Sequence, residues 1–172
     1  MPAIWTVGHS TRTMEHFLEL LTAHSIQILA DVRRFPGSRK FPHFGQESLR
    51  DSLSIAGIEY FHFPDLGGRR KPRPDSHNTA WRNESFRGYA DYMETSEFHA
   101  GFQRLLELAA RKPTAVMCSE SVWWRCHRAL IADLLKAHEI EVRHIVDATR
   151  TELHPLTSAA TLIEGKLSYS AG

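Results

Sequence analysis

Short apolar segments alternate with amphipathic segments along most of this chain, and that alternation limits its fold more than any other feature. Five apolar segments have the length and residue types of buried strands. They are Ile4–Val7, Ile26–Val32, Ile58–Phe63, Thr114–Cys118 and Glu141–Val146. Strands that alternate with helices predict an α/β fold: a single domain with a mostly parallel sheet of five or slightly more strands, flanked by helices.

The predicted helices have recognisable ends. Thr13 is placed to cap the first helix, and Gly57 follows the second at the position that commonly ends a helix. A helical stripe of Trp123, Cys126 and Leu130 predicts that the last helix begins near Trp123. That stripe also predicts that Cys126 is a small core residue.

Length and composition exclude several classes of protein. The 172 residues favour one domain over residues 1–172, with a weakly patterned arm over about residues 148–172. No apolar segment approaches the ~20 residues of a membrane span, and no signal peptide is recognisable at the start. Two cysteines are too few for a disulfide framework, so a reducing, cytoplasmic setting is expected. The oligomeric state stays open.

Positive charge is concentrated in two predicted loops. The net charge is only +1, yet the loop 33–45 has four basic residues and no acid, and the loop 64–83 has five basic residues and two acids. Both loops follow strands, and ligands of parallel sheets bind at the carboxyl ends of the strands. Aromatic residues lie among these basic ones. An anionic partner such as a nucleotide or nucleic acid is therefore expected, against the alternative of ordinary solvated loops.

Five residues near the predicted strand ends are candidates for catalysis. His9 follows the first strand and is either an acid–base group or a cap. Asp31 ends the second and either acts as a base or orients a basic group, with an Asp–Arg brace slightly favoured. Cys118, before a helix, could be a thiolate nucleophile. Glu120 is the best-placed carboxylate for activating water, and His127 could point back toward the strand ends.

Other site chemistries are less supported. Cys118, Cys126 and His127 do not have a recognised metal-ligand spacing, so neither a metal nor a cofactor is expected. Whether the two cysteines pair is left open. Arg33 and Arg69 in the basic loops are candidates for holding phosphate, and Arg128 could pair with Glu120 or bind a phosphate.

Four motifs together resemble a bacterial and archaeal family, the domain of unknown function 488, over about residues 4–147. The motifs are Gly8-His9-Ser10, Asp31-Val32-Arg33 with Pro36 and Ser38, Leu66-Gly67-Gly68-Arg69, and Cys118-x-Glu120 followed by Cys126-His127-Arg128. The resemblance implies a compact α/β fold and a site built from these motifs, in which Ser10 and Ser38 join the ligand-binding residues.

The resemblance also carries a loose association with nucleic-acid base repair of the glycosylase type. The leading hypothesis is thus an enzyme directed at nucleic acid or nucleotides, with hydrolysis of a glycosidic bond as its specific form. A thiol enzyme with Cys118 as nucleophile is the second hypothesis. A non-catalytic module that binds anions or nucleic acid is the third.

Overall fold

Six strands form the central sheet of the computed structural model, which describes residues 3–37 and 39–171. The strands are β1 (Ala3–Gly8), β2 (Ile28–Asp31), β3 (Glu59–His62), β4 (Thr114–Cys118), β5 (Glu141–Ile145) and β6 (Thr151–Leu153). Their order is β3-β2-β4-β1-β5-β6. The first five run parallel, and only β6 is antiparallel to its neighbour. The predicted single α/β domain with a mostly parallel sheet is confirmed.

Helices cover both faces of this sheet. They are α1 (Met14–Ala23), α2 (Gln46–Ile55), α3 (Glu84–Tyr92), α4 (Ser96–Arg111) and α5 (Arg128–Ala137). α1 and α2 bury their apolar stripes on one face, and α3, α4 and α5 bury theirs on the other. Thr13 caps α1 as predicted, because its hydroxyl accepts the His16 backbone N–H. None of the helices in the described part of the chain is long and apolar enough to cross a bilayer.

The strand order places a switch point between β1 and β4. The chain leaves β1 toward β2 on one side, and it leaves β4 toward β5 on the other. Gly8 and Cys118 are register partners at the ends of these two strands. The backbone pairing continues beyond them, since His9 N–H donates to the Cys118 carbonyl at 3.0 Å. Because α1 packs on one face of the sheet and α5 on the other, the two connections leave toward opposite faces and open a crevice at the carboxyl ends of the strands.

The last helix starts later than its apolar stripe predicts. Trp123–Arg125 forms a single 3-10 turn, Cys126 has extended backbone, and α5 begins only at Arg128. The prediction was wrong because the Trp123 ring stacks on His144, with centroids 4.7 Å apart, instead of joining a helical stripe. Glu120 lies in the loop before this turn.

The segment after residue 147 is packed and not loose. β6 extends the sheet, and β7 (Thr161–Ile163) and β8 (Lys166–Ser168) form a separate hairpin. Tyr169 beyond the hairpin is buried, and its hydroxyl donates to Asp133 of α5 at 2.7 Å. The weak patterning of this segment did not predict these strands, because strands of three residues are too short to show a periodicity.

Candidate functional site

A cleft of about 530 Å³ opens at the carboxyl ends of β1, β2 and β4. Seven of the residues predicted for the site line it: His9, Ser10, Arg33, Arg69, Cys118, Glu120 and His127. Asp31 and Arg128 are buried outside the lining, at 0% and 1% exposure. Ser38 lies outside the described residues. The cleft therefore gathers side chains from all four sequence motifs.

Gly8 lets the loop after β4 close over the end of β1. A Cβ atom at this position would lie 1.7 Å from the Glu120 carbonyl oxygen, which no real side chain could tolerate. The absence of a side chain thus allows the backbone of Glu120 to cross directly above the β1 terminus. This contact brings the first and fourth motifs together at the cleft.

Gly68 plays the matching role on the opposite wall. A Cβ atom there would meet the His127 Nδ1 atom at 2.9 Å. The His127 Nε2–H donates to the Val32 carbonyl at 3.1 Å, which fixes the ring and leaves Nδ1 as the acceptor of a neutral imidazole. Burial lowers the pKa of His127 and favours that neutral form.

Asp31 and Arg33 form the brace that their spacing suggested. The Asp31 carboxylate accepts Arg33 Nε and Nη2 at 2.9 and 2.8 Å, and it accepts the Tyr60 hydroxyl at 2.6 Å. Arg33 Nη1 donates to the Phe44 carbonyl at 2.8 Å. Burial opposes the charge of Arg33, yet the bonds to Asp31 raise its pKa overall. Asp31 thus has both oxygens engaged away from the cleft.

His9 lies on the cleft wall as a neutral base. Its ring stacks on Phe44 with centroids 4.3 Å apart, and its Nδ1–H donates to the Ser10 carbonyl at 2.9 Å. A carbonyl can only accept, so Nε2 of the neutral ring is an unprotonated nitrogen. Burial, with a smaller effect of the Arg33 charge, lowers the pKa of His9. At neutral pH the ring is therefore equipped to accept a proton.

Only part of the predicted basic rim faces the cleft. Arg34, Arg69 and Arg125 line it with Arg33, and Glu120 is the only acid in that lining. Arg34 Nη1 donates to the Arg69 carbonyl at 3.0 Å and joins the two basic loops. In contrast, Arg73 pairs with Glu94 at 3.0 Å, away from the cleft. The concentration of positive charge is real but narrower than the sequence suggests.

Two thiols lie side by side at the floor of the cleft. Cys118 and Cys126 are 2% and 6% exposed and are not joined by a disulfide, and the Cys118 S–H donates to the Glu120 carbonyl at 3.7 Å. Burial, reinforced by Cys126, raises the pKa of Cys118. Burial also opposes ionisation of Cys126, but the neighbouring Cys118 side chain and the Arg128 charge lower the pKa of Cys126 below its ordinary value. Cys126 is thus the more acidic thiol.

A comparison with known families finds a match that covers most of the chain. Residues 13–135 match the family described as domain of unknown function DUF488. The chain belongs to the DUF488 family. The matched region contains the Asp31, Gly67-Gly68 and Cys118–Arg128 motifs, while the first motif and the segment after α5 lie outside it. No curated protein and no solved structure matches the chain.

Arg128 ends the last DUF488 motif in an unusual environment. Its Nη2 donates to the Ser121 carbonyl at 3.1 Å, whereas its Nε and Nη1 have no hydrogen-bond partner among the described residues. It forms no ion pair with Glu120. A buried guanidinium with two unpaired donors is costly. Arg128 contributes positive charge behind the two thiols, where it lowers the pKa of Cys126.

Sequence reasoning missed Cys126 and Arg125 as residues of this DUF488 site. Both line the cleft because the chain between β4 and α5 is a loop and not the start of a helix. The signal that could have found Cys126 is its place directly before the His127-Arg128 pair, which the family motif already includes. Within the described residues, no group of three or more His, Cys, Asp or Glu side chains is arranged to hold a metal ion.

Proposed function

We propose that this protein is an enzyme that acts on a nucleotide or nucleic acid and hydrolyses an N-glycosidic bond in the cleft. The observation that supports the proposal is the local charge. Four arginines and one glutamate line the cleft of a chain whose net charge is +1. A pocket walled by like charges attracts phosphate groups. Arg69 and Arg125 suit this role best, because neither forms an ion pair with a described residue.

The size and the aromatic residues of the cleft suit a nucleobase. Its volume of about 530 Å³ lies within the ~300–1,000 Å³ of typical small-molecule sites. Phe35, Phe41 and Phe86 line it beside the arginines. Enzymes that act on a base in a nucleic acid commonly take it out of the stack and hold it in such a pocket against aromatic side chains.

Glu120 is the residue to which we assign activation of water. It is exposed on the cleft, whereas both oxygens of Asp31 are engaged by Arg33 and Tyr60. The Glu120 carboxylate would accept a proton from water as the water oxygen bonds to the sugar carbon and the C–N bond breaks. The base leaves with the bonding electrons and takes up the proton from Glu120. His9 Nε2 would accept a hydrogen bond from that water or from a sugar hydroxyl, and Ser10 and Arg69 would hold the phosphate.

A Glu120→Gln substitution tests the catalytic assignment. Substrates would be oligonucleotides that carry modified bases, together with free nucleotides. We expect turnover to fall by ~100-fold or more, since general-base catalysis typically contributes 10²–10⁴, while ligand affinity is retained. Glu107→Gln, at an exposed acid on α4, is the matched control and should leave turnover unchanged. Full activity of Glu120→Gln would remove Glu120 from the mechanism.

Paired arginine variants test the anion site separately from the chemistry. Arg69→Ala with Arg125→Ala should weaken oligonucleotide binding and flatten its dependence on salt concentration, because fewer counterions are released on binding. Arg111→Ala, at an exposed arginine at the end of α4, is the control. Salt-sensitive binding by a wild-type protein that turns over none of the substrates would favour a non-catalytic binding module.

A thiol enzyme is the second candidate function, with Cys126 in place of Cys118 as the nucleophile. Burial raises the pKa of Cys118, which makes it a poor nucleophile at neutral pH. Cys126 is the better candidate, because its sulfur accepts the Arg128 backbone N–H at 3.5 Å at the start of α5. Loss of turnover in Cys126→Ser, with full turnover in Glu120→Gln, would favour this candidate over the glycosidic mechanism.

A further inference from the structure

We propose that Cys118 and Cys126 form a peroxide-reactive dithiol, in which Cys126 attacks the oxidant and Cys118 closes a reversible disulfide. The proposal does not depend on the substrate of the cleft. It concerns a covalent modification of the protein itself.

The two thiols have the placement that such a reaction needs. Cys118 ends β4, and Cys126 directly precedes the turn into α5, so the short loop between them joins two rigid elements. Both residues line the cleft, which gives a small oxidant access to the sulfurs. Both side chains also belong to one buried cluster, and each thiol perturbs the ionisation of the other, so the two residues are neighbours.

The surroundings of Cys126 favour its thiolate. Its sulfur accepts the Arg128 backbone N–H at 3.5 Å, at the amino end of α5. The same sulfur lies 3.5 Å from His127 Nδ1, the nitrogen that the Val32 carbonyl leaves unprotonated. A thiol next to a base that is itself oriented by a third group is the usual arrangement of an activated cysteine. The buried Arg128 adds a positive charge nearby.

The chemistry balances with hydrogen peroxide as the oxidant. The Cys126 proton passes to His127 Nδ1, and the thiolate attacks one peroxide oxygen while the O–O bond breaks. The leaving hydroxide takes the proton from His127 and becomes water, and Cys126 becomes a sulfenic acid. The Cys118 sulfur then attacks the Cys126 sulfur and the S–O bond breaks. The departing hydroxide takes the Cys118 proton, which yields a disulfide and a second water.

The experiment treats the reduced full-length chain with hydrogen peroxide and then removes the excess with catalase. Free thiols are alkylated under denaturing conditions and the protein is analysed by intact mass and peptide mapping. We expect loss of both alkylatable thiols, a peptide linked through Cys118 and Cys126, and full recovery on addition of dithiothreitol. Two unmodified thiols, under conditions that consume free cysteine, would overturn the proposal.

Single variants assign the roles. In Cys118→Ser, a sulfenic acid should persist on Cys126 and be trapped by dimedone. In Cys126→Ser, dimedone labelling should be lost. Labelling of Cys118 in Cys126→Ser at the wild-type rate of thiol loss would overturn the assignment of the attacking sulfur. Circular dichroism of each variant establishes that it is folded, and the wild-type disulfide peptide tests the proposal even if a variant is not.

Discussion

Two buried polar clusters lie along helix α5, one around Asp133 and one around Arg128. They differ in how many of their polar atoms have hydrogen-bond partners. Around Asp133, both carboxylate oxygens have partners. His154 Nε2–H, the Thr157 hydroxyl and the Tyr169 hydroxyl all donate to its carboxylate, at 2.7, 2.6 and 2.7 Å. Around Arg128, Nε and Nη1 lack partners among the described residues.

We interpret the difference as one between a structural network and the proposed ligand site. The Asp133 cluster continues through His154 to His144 and Thr6, and it ties the C-terminal segment to the sheet. Complete pairing offsets the cost of burying these groups. The Arg128 cluster lies against the cleft and retains unmet donors and an acidic thiol. Proteins keep such unfavourable arrangements mainly where function requires them.

Asp133→Ala should produce the largest effect on stability. It removes the acceptor of two buried side chains, His154 and Tyr169, and of the half-buried Thr157, and breaking a buried charged network typically costs ~3–5 kcal/mol. Urea unfolding followed by circular dichroism measures the loss. Asp51→Ala, at an exposed acid on α2, is the control and should change stability by less than ~0.5 kcal/mol. A loss below ~1 kcal/mol for Asp133→Ala would mean that the network does not hold the C-terminal segment.

Arg128→Met should behave in the opposite way. Methionine fills a similar volume without the unpaired donors, and replacement of a buried charge by an apolar side chain is often neutral or stabilising. We expect the free energy of unfolding to stay within ~1 kcal/mol of wild type, while oligonucleotide affinity falls. A stability loss above ~2 kcal/mol with unchanged affinity would make Arg128 a structural residue and would end the contrast with Asp133.

Features that depend on neighbouring residues could be predicted from the sequence, whereas features that depend on distant residues could not. The parallel sheet and the Asp31–Arg33 brace were predictable, because strand periodicity and a two-residue spacing are local. The start of α5 was not, since Trp123 is held by His144, a residue distant in the sequence. The Arg73 side chain likewise lies away from the cleft because it pairs with Glu94. Cys126 was assigned to the core because the local periodicity of the sequence predicts its burial. Its position next to Cys118 depends on the fold and could not be predicted in the same way.

The buried network around Asp133 and His144 should be sensitive to acid. Burial, with smaller effects of His154 and Arg128, lowers the pKa of His144 from 6.5 to about 2. Between these values the unfolded chain binds more protons than the folded one. Stability should therefore be unaffected by this residue above pH 6.5 and should fall as the pH drops below it, by up to ~1.4 kcal/mol per pH unit.

Unfolding free energies at pH 7 and pH 5 test this dependence. His144→Asn should lower stability at both values but should reduce the difference between them. His16→Asn, at an exposed histidine of α1, should leave that difference as in wild type. An equal pH dependence in His144→Asn and wild type would show that the acid loss arises elsewhere.

Substitution of Phe35, which lines the cleft, should have the smallest effect on stability. It should weaken the binding of a base but not of phosphate. Its ring is 65% exposed, and the Arg34 guanidinium lies over it at 5.3 Å from the centroid. Because it is barely packed, Phe35→Ala should change stability by less than ~0.5 kcal/mol. Stacking of a base on an exposed aromatic ring contributes ~1–3 kcal/mol, so affinity for a single-stranded oligonucleotide should fall about tenfold.

Inorganic phosphate separates stacking from charge. Competition by phosphate should be unchanged in Phe35→Ala, because the arginines that attract it remain. Ile55→Ala, at an even more exposed apolar residue on α2, should change neither affinity. If Phe35→Ala weakened phosphate and oligonucleotide equally, the ring would act by positioning Arg34. The cleft would then recognise a charge and not a base, and a base-directed hydrolase would be the wrong conclusion.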